Sequence, residues 1–219
     1  MSGHLASDTK DAGPTAERHD LFPVPLWINQ LDFLAPHLSA MILEAEEFIN
    51  FCPANASDPY QQSDGFLQRS EDEGWRRFFS FVGDEMQRIL RDEMPLKFNI
   101  SRAYLQSWSL RINGDDDYAD HPSVLEVLHS HLPAVLSSVF YLRVPPEMIE
   151  AGGGGTLLRD PLAPITRQFR DVGYHIAPVP LRLAIFPSYL EHAPERPAQR
   201  MTWSTSRLIV STDLRVDLG

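Results

Sequence analysis

The sequence predicts a mainly β protein with flanking helices, arranged as a double-sheet jelly roll of cupin-like form, and three observations lead there. Beyond Met94 the chain breaks into short apolar segments, Val135 to Val144, Thr156 to Arg159, Gly173 to Ile176, Leu181 to Phe186 and Arg207 to Leu214, separated by proline and glycine. Segments of that length and punctuation read as strands of a two-layered or closed β fold. Ahead of them, two stretches repeat apolar residues at the spacings of three and four that a helix packed on one face requires. A chain of 219 residues can bury one core without disulfides or a structural metal. One domain, 21–219, is therefore expected after a mobile N-terminal tail, 1–20.

The tail is polar and carries Gly13 and Pro14 with no hydrophobic period. Leu21 to Trp27 is apolar but holds Pro23 and Pro25, which excludes a helix and suits an edge strand. A first helix is expected over 36–51, where Leu38, Ile42, Ala45 and Ile49 share a face and Pro36 is tolerated in the first turn. A loop follows, rich in proline, asparagine and glycine. A second helix is expected over 72–94, with Trp75, Phe78, Phe79, Val82, Met86, Ile89 and Leu90 as its core stripe and Pro95 as its stop.

From Ala103 to Ile112 the pattern switches to alternation, with Tyr104, Gln106, Trp108 and Leu110 on one face and Leu105, Ser107, Ser109 and Arg111 on the other. The acidic stretch Asn113 to Asp117 fits no calcium loop and reads as a solvated turn. Gly152 to Gly155 lacks the lysine, the hydroxyl residue and the helix of a phosphate cradle, so a flexible hairpin connection is expected.

Composition excludes several function classes. A formal charge of −11 argues against a sequence-independent grip on nucleic acid, which needs lysine and arginine to displace counterions. One cysteine, Cys52, can form neither an intramolecular disulfide nor a cysteine-rich zinc site, and is compatible with a reducing compartment. Met1 to Lys10 has no apolar core of the signal-peptide kind, and a cytoplasmic protein is expected. No apolar run approaches the roughly 20 residues of a membrane span. The sequence leaves the oligomeric state open.

Chemistry concentrates at His129-Ser130-His131, directly before an apolar strand. In extended backbone, residues two apart point to one face, so both imidazoles can meet one metal ion. His192, in the turn after the strand ending at Phe186, is the candidate third ligand. For the His-x-His pair alone, an ordinary strand pair is the bland alternative. Three imidazoles with open coordination positions suit ferrous iron for oxygen chemistry, and zinc is also compatible with the ligand type. Arg207 opens a later apolar strand, where a buried guanidinium needs an anionic partner.

At these positions the sequence resembles the iron(II)/2-oxoglutarate-dependent oxygenases, in particular a bacterial group related to prolyl hydroxylases. The resemblance runs from Leu21 to about Leu214. It is carried by the order of Phe22 to Trp27, Ser107-Trp108, His129 to Pro133, Leu136 to Leu142, Phe186 to His192 and the Arg207 strand. It implies a double-stranded β-helix in which His129, His131 and His192 hold Fe(II) and Arg207 binds the distal carboxylate of 2-oxoglutarate. Tyr141 matches the position of a tyrosine that assists on that carboxylate, or is a core tyrosine. The activity implied is hydroxylation of an unactivated C–H bond with O2, releasing succinate and CO2; desaturation, epimerisation and ring formation use the same oxidant. The substrate expected is a small molecule or an amino-acid- or peptide-derived metabolite.

Two departures from the family pattern stand out. The usual carboxylate ligand two residues after the first histidine is replaced by His131, with Glu126 and Asp160 as possible substitutes elsewhere. Arg200 lies between His192 and Arg207 and is a rival anchor, although Arg207 alone continues into a strand. Trp108, Arg111, Asn113 and Trp203 are candidates to face the substrate, and His121 and His175 are expected outside the ligand set. The alternatives are a three-histidine cupin-type dioxygenase that does without 2-oxoglutarate, with Arg207 on the substrate's own carboxylate, and a noncatalytic jelly-roll binding module.

Overall fold

In the computed structural model the second helical stretch begins where its capping chemistry requires. The Asp72 carboxylate accepts from the backbone N–H of Gly74 at 2.8 Å and of Trp75 at 3.2 Å, satisfying two of the donors that a helix start leaves free. The residues described are 16–21, 24–52, 60–63, 67–94, 99–112, 128–161, 173–195 and 204–219.

Helix α1 spans Leu38–Asn50 and helix α2 spans Glu73–Asp92, shorter than expected by one or two residues at each end. Pro36 lies in a 3-10 turn, Asp32–His37, that leads into α1. Gly74 lets α2 pack closely on α1 and the turn before it: a Cβ there would stand 2.6 Å from His37 Cβ and 2.8 Å from Met41 Sδ. A short helix, α3, covers Pro146–Glu150.

The strands are β1 Ala16–Leu21, β2 Val24–Gln30, β3 Tyr60–Gln62, β4 Ile100–Ile112, β5 Leu136–Arg143, β6 Thr156–Arg159, β7 Gly173–Ile176, β8 Arg182–Pro187, β9 His192–Pro194 and β10 Arg207–Leu218. They form a seven-stranded sheet, β1-β2-β8-β5-β10-β4-β3, and a three-stranded sheet, β7-β6-β9, both antiparallel throughout. The mainly β architecture with flanking helices is thus as the sequence indicated.

Details differ. Residues 16–20, read as tail, pair with β2. That places β2 inside the sheet and not at its edge; Pro25 is accommodated near the start of the strand, where a missing donor costs least. Gly152 to Gly155 links α3 to β6; Gly152 is open on its Cβ side, whereas Gly154 and Gly155 are tightly packed. Gly154 adopts φ +83, and a Cβ on it would meet Met148 Sδ at 2.5 Å. The acidic stretch 113–117 lies outside the described residues. Among the described residues, no helix is long and apolar enough to cross a membrane.

Two apolar cores sandwich the large sheet. On one face α1 and α2 bring Met41, Trp75, Phe78 and Met86 against Trp27, Phe140, Leu208 and Val210. The Phe78 and Phe140 rings lie 4.5 Å apart between centroids. On the other face Val139, Tyr141, Phe186 and Ile209 meet Leu158 and Ile176 of the small sheet. Strand alternation then settles what β10 presents to each side: Leu208, Val210 and Leu214 to the helices, Arg207, Ile209, Ser211 and Asp213 to the space between sheets.

Candidate metal centre

That space holds three histidines. His129 and His192 exchange backbone hydrogen bonds as an isolated antiparallel bridge, at 3.1 and 2.9 Å, and the His131 N–H donates to the Ser188 carbonyl at 3.0 Å. The turn after β8 is thereby tied to the segment before β5. The ring centroids are 4.5 Å apart for His129 and His192, 4.8 Å for His131 and His192, and 5.1 Å for His129 and His131. One ring nitrogen from each lies within 4.8 Å of the others. A divalent ion holds imidazole nitrogens at about 2.0–2.1 Å, which places them within about 4 Å of one another, so small side-chain rotations suffice to close the trio on an ion.

Two of the rings are aimed from behind. His192, 5% exposed, has Nδ1 at 3.0 Å from the Leu190 carbonyl. A carbonyl only accepts, so Nδ1 carries the proton and Nε2 keeps its lone pair for a metal. His131 Nδ1 lies 2.8 Å from Oδ1 of Asp213, a carboxylate 1% exposed that also accepts from the Ser137 hydroxyl at 2.7 Å. Burial, then the neighbouring His129, lowers the His192 pKa from the ordinary 6.5 to about 3.

This shift has a consequence for the metal-free protein. Between pH 3 and 6.5 the unfolded chain binds a proton on this residue that the folded chain refuses, so stability rises with pH across that window. The contribution is complete above about pH 6.5 and is lost as pH falls toward 3. Denaturant titrations of metal-free protein at pH 7.5 and 5.5 are expected to show a smaller pH-dependent loss for His192→Gln than for the parent; equal losses would contradict the assignment.

The same cavity, of about 240 Å3, is lined by Trp108, the three histidines, Thr156 and Arg207 along with apolar residues. Arg207 is 1% exposed. Its Nε donates to the Gly154 carbonyl at 2.6 Å and its Nη2 to the Gly155 carbonyl at 3.0 Å, while buried Nη1 has no partner. Carbonyls orient a guanidinium but do not neutralise it. Arg207 therefore stands as a buried cation with both N–H donors of Nη1 to spare. The Tyr141 ring lies 5.6 Å from its central carbon, and the Tyr141 hydroxyl sits 2.8 Å from Thr156 Oγ1. Burial raises the Tyr141 pKa and keeps the phenol protonated.

The other sequence candidates separate. Trp108 lines the cavity, with its ring 5.2 Å from that of His131. Arg111 is turned to the opposite face of β4, where it donates to Asn50 Oδ1 at 2.8 Å; it is not among the residues that line the cavity. Asp160 is buried but stands apart from the histidine cluster. His175 is exposed, with Nδ1 2.6 Å from Glu195 Oε1. Asn113, His121, Glu126, Arg200 and Trp203 lie outside the described residues. Sequence reasoning missed Asp213, Ser137 and Thr156. The signal for Asp213 was a lone carboxylate in an apolar strand, at even spacing from Arg207 and so on its face.

No protein-family model matches the sequence, and no curated protein matches it. Solved structures do. A Pseudomonas putida prolyl-4-hydroxylase is 15% identical, with 95% of each chain covered and a TM-score of 0.53. A Trichoplax adhaerens prolyl hydroxylase, solved in complex with a hypoxia inducible factor oxygen degradation domain peptide fragment, is 12% identical over 93% of this chain and 84% of that one, with a TM-score of 0.52. HygX from Streptomyces hygroscopicus, solved with nickel, 2-oxoglutarate and hygromycin B bound, is 12% identical over 86% and 82%, with a TM-score of 0.50. Likeness at such identity is one of fold: this chain has the fold of the iron(II)/2-oxoglutarate oxygenases, prolyl hydroxylases included.

Proposed function

We propose that this chain is an iron(II)- and 2-oxoglutarate-dependent oxygenase that hydroxylates an unactivated C–H bond, its two sheets forming a double-stranded β-helix. The observation that carries this reading is one cavity holding both an imidazole trio and a buried guanidinium with unused donors. The first fits a divalent metal and the second fits a carboxylate, so together they fit a metal-chelating dicarboxylate. His129, His131 and His192 hold the metal. Arg207 offers charge-assisted hydrogen bonds to the distal carboxylate. Thr156 presents its hydroxyl to the same cavity, and Tyr141 acts on the carboxylate through it.

Iron with 2-oxoglutarate and O2 supplies the oxidant, leaving succinate and CO2. The protein contributes placement and exclusion of water: Leu110, Val139 and Ile209 wall the cavity. The substrate's place is a second, more open cavity of about 390 Å3 on the other side of Trp108 and His131. Gln62, Gln106, Ser130 and Arg215 line it, a surface for a hydrogen-bonding small molecule or peptide-derived metabolite. The experiment is succinate formation by iron-loaded protein across amino acids, short peptides and hydroxylated metabolites. Stoichiometric product and succinate are expected with the right compound, and Trp108→Ala is expected to raise KM for it several-fold.

An all-histidine donor set also favours a second reading, a dioxygenase that binds its substrate directly to the metal. Oxygen uptake that persists without 2-oxoglutarate would establish that reading and overturn the first.

A further inference from the structure

We propose that Asp213 is a positioning residue that acts through His131, giving the metal centre from behind the ring the negative charge that three imidazoles cannot give it. The inference rests on the reading of the histidines as metal ligands. Three neutral imidazoles leave a divalent ion's charge uncompensated, and a partly buried site makes that costly. Among the described residues, the cluster around the site contains no carboxylate ligand. A buried carboxylate does stand behind one of the rings: Asp213 Oδ1 lies 2.8 Å from His131 Nδ1.

The surroundings of Asp213 direct its charge toward that ring. Its Oδ1 accepts from the Ser137 hydroxyl at 2.7 Å, a neutral donor that orients the group without neutralising it. Arg215 Nη2 makes a loose ion pair with Oδ2 at 3.8 Å, longer than a hydrogen bond and from a partly exposed side chain, so it offsets the carboxylate's charge only in part. The His131 contact, at 2.8 Å, is the shorter of the two and the one that leads toward the histidine cluster. It also fixes the tautomer: with Nδ1–H engaged, Nε2 is the atom left to face the metal. Strand β10 carries both halves of the arrangement on one face, Arg207 at its start and Asp213 six residues on, about 20 Å along the strand.

The test is a double-mutant cycle on Ni(II) affinity, measured with the full-length metal-free protein by competition against a chromogenic chelator. Asp213→Asn keeps the shape of the side chain and removes the charge. It is expected to weaken Ni(II) binding about 10- to 100-fold in the parent, and less than about twofold in a His131→Ala background, because the effect has lost its conduit. Equal losses in both backgrounds would make Asp213 a direct ligand and overturn the inference. No loss in the parent would leave Asp213 a structural residue and overturn it likewise. Circular dichroism checks folding. Should Asp213→Asn not fold, Ser137→Ala is expected to weaken Ni(II) binding in the same direction, less strongly, and only with His131 present. A parent that binds no Ni(II) removes the metal reading and this inference together; a parent that binds while the cycle fails removes this inference alone.

Discussion

Replacing Arg207 by methionine is expected to weaken 2-oxoglutarate binding by two orders of magnitude or more, with Ni(II) affinity unchanged. Methionine keeps much of the buried apolar stem and deletes the guanidinium. Truncating one partner of a buried, hydrogen-bonded charge pair costs about 2–5 kcal/mol, and a hundredfold loss corresponds to about 2.7 kcal/mol. The fold is expected to survive, because two opposing changes accompany the substitution. The Gly154 and Gly155 carbonyls lose their donor, at about 1–3 kcal/mol for each buried group left unsatisfied. Against this, the protein without bound dicarboxylate no longer buries an uncompensated cation with an idle Nη1. Isothermal titration of metal-loaded parent and variant measures the effect. Equal 2-oxoglutarate affinity in the two would move the anchor elsewhere.

Replacing His192 by alanine is expected to lower Ni(II) affinity more than about a hundredfold, the upper range for merely disturbing a partner behind a ligand. Among the three rings this one is the most buried, and its Nδ1–H is committed to the Leu190 carbonyl. Its lone pair is therefore pre-aimed and already desolvated, so little reorganisation opposes metal binding. The variant loses one of three donors and gains a void that water enters. A competition titration that finds the variant within tenfold of the parent would remove His192 from the ligand set.

Much of the fold was legible because local chemistry and periodicity agreed. Helix α2 has an aspartate cap, an unbroken apolar stripe and a proline beyond its end, and each points to the same boundaries. Strand β1 was not legible: Ala16–Leu21 shows no apolar alternation and owes its conformation to backbone pairing with β2. At the candidate site, the two-residue period that brings His129 and His131 toward one point is a property of extended backbone, and the sequence displays it openly.

The same period holds a lesson for Trp108 and Arg111. They lie an odd number of residues apart on β4, so one strand cannot aim both into one cavity. Alternation alone did not say which face was the inner one. Packing decides: Ser107 and Ser109 are small enough for α1 to approach, and the Ser109 hydroxyl donates to the Ala45 carbonyl at 3.3 Å, leaving Trp108 and Leu110 to the cavity. Asp213 was overlooked for a different reason. A buried carboxylate reads as an oddity until its partner is known, and His131 is joined to it only by the fold.

An anaerobic titration of the Fe(II)-loaded protein with 2-oxoglutarate, followed by visible absorption and run in parallel on Arg207→Met, reports on metal, dicarboxylate and anchor in one experiment. A saturating charge-transfer band of bidentate coordination is expected in the parent, and a band in the variant that requires at least a hundredfold more 2-oxoglutarate. Confirmed Fe(II) binding with no band in the parent at any concentration would mean that 2-oxoglutarate does not chelate the metal held by these histidines.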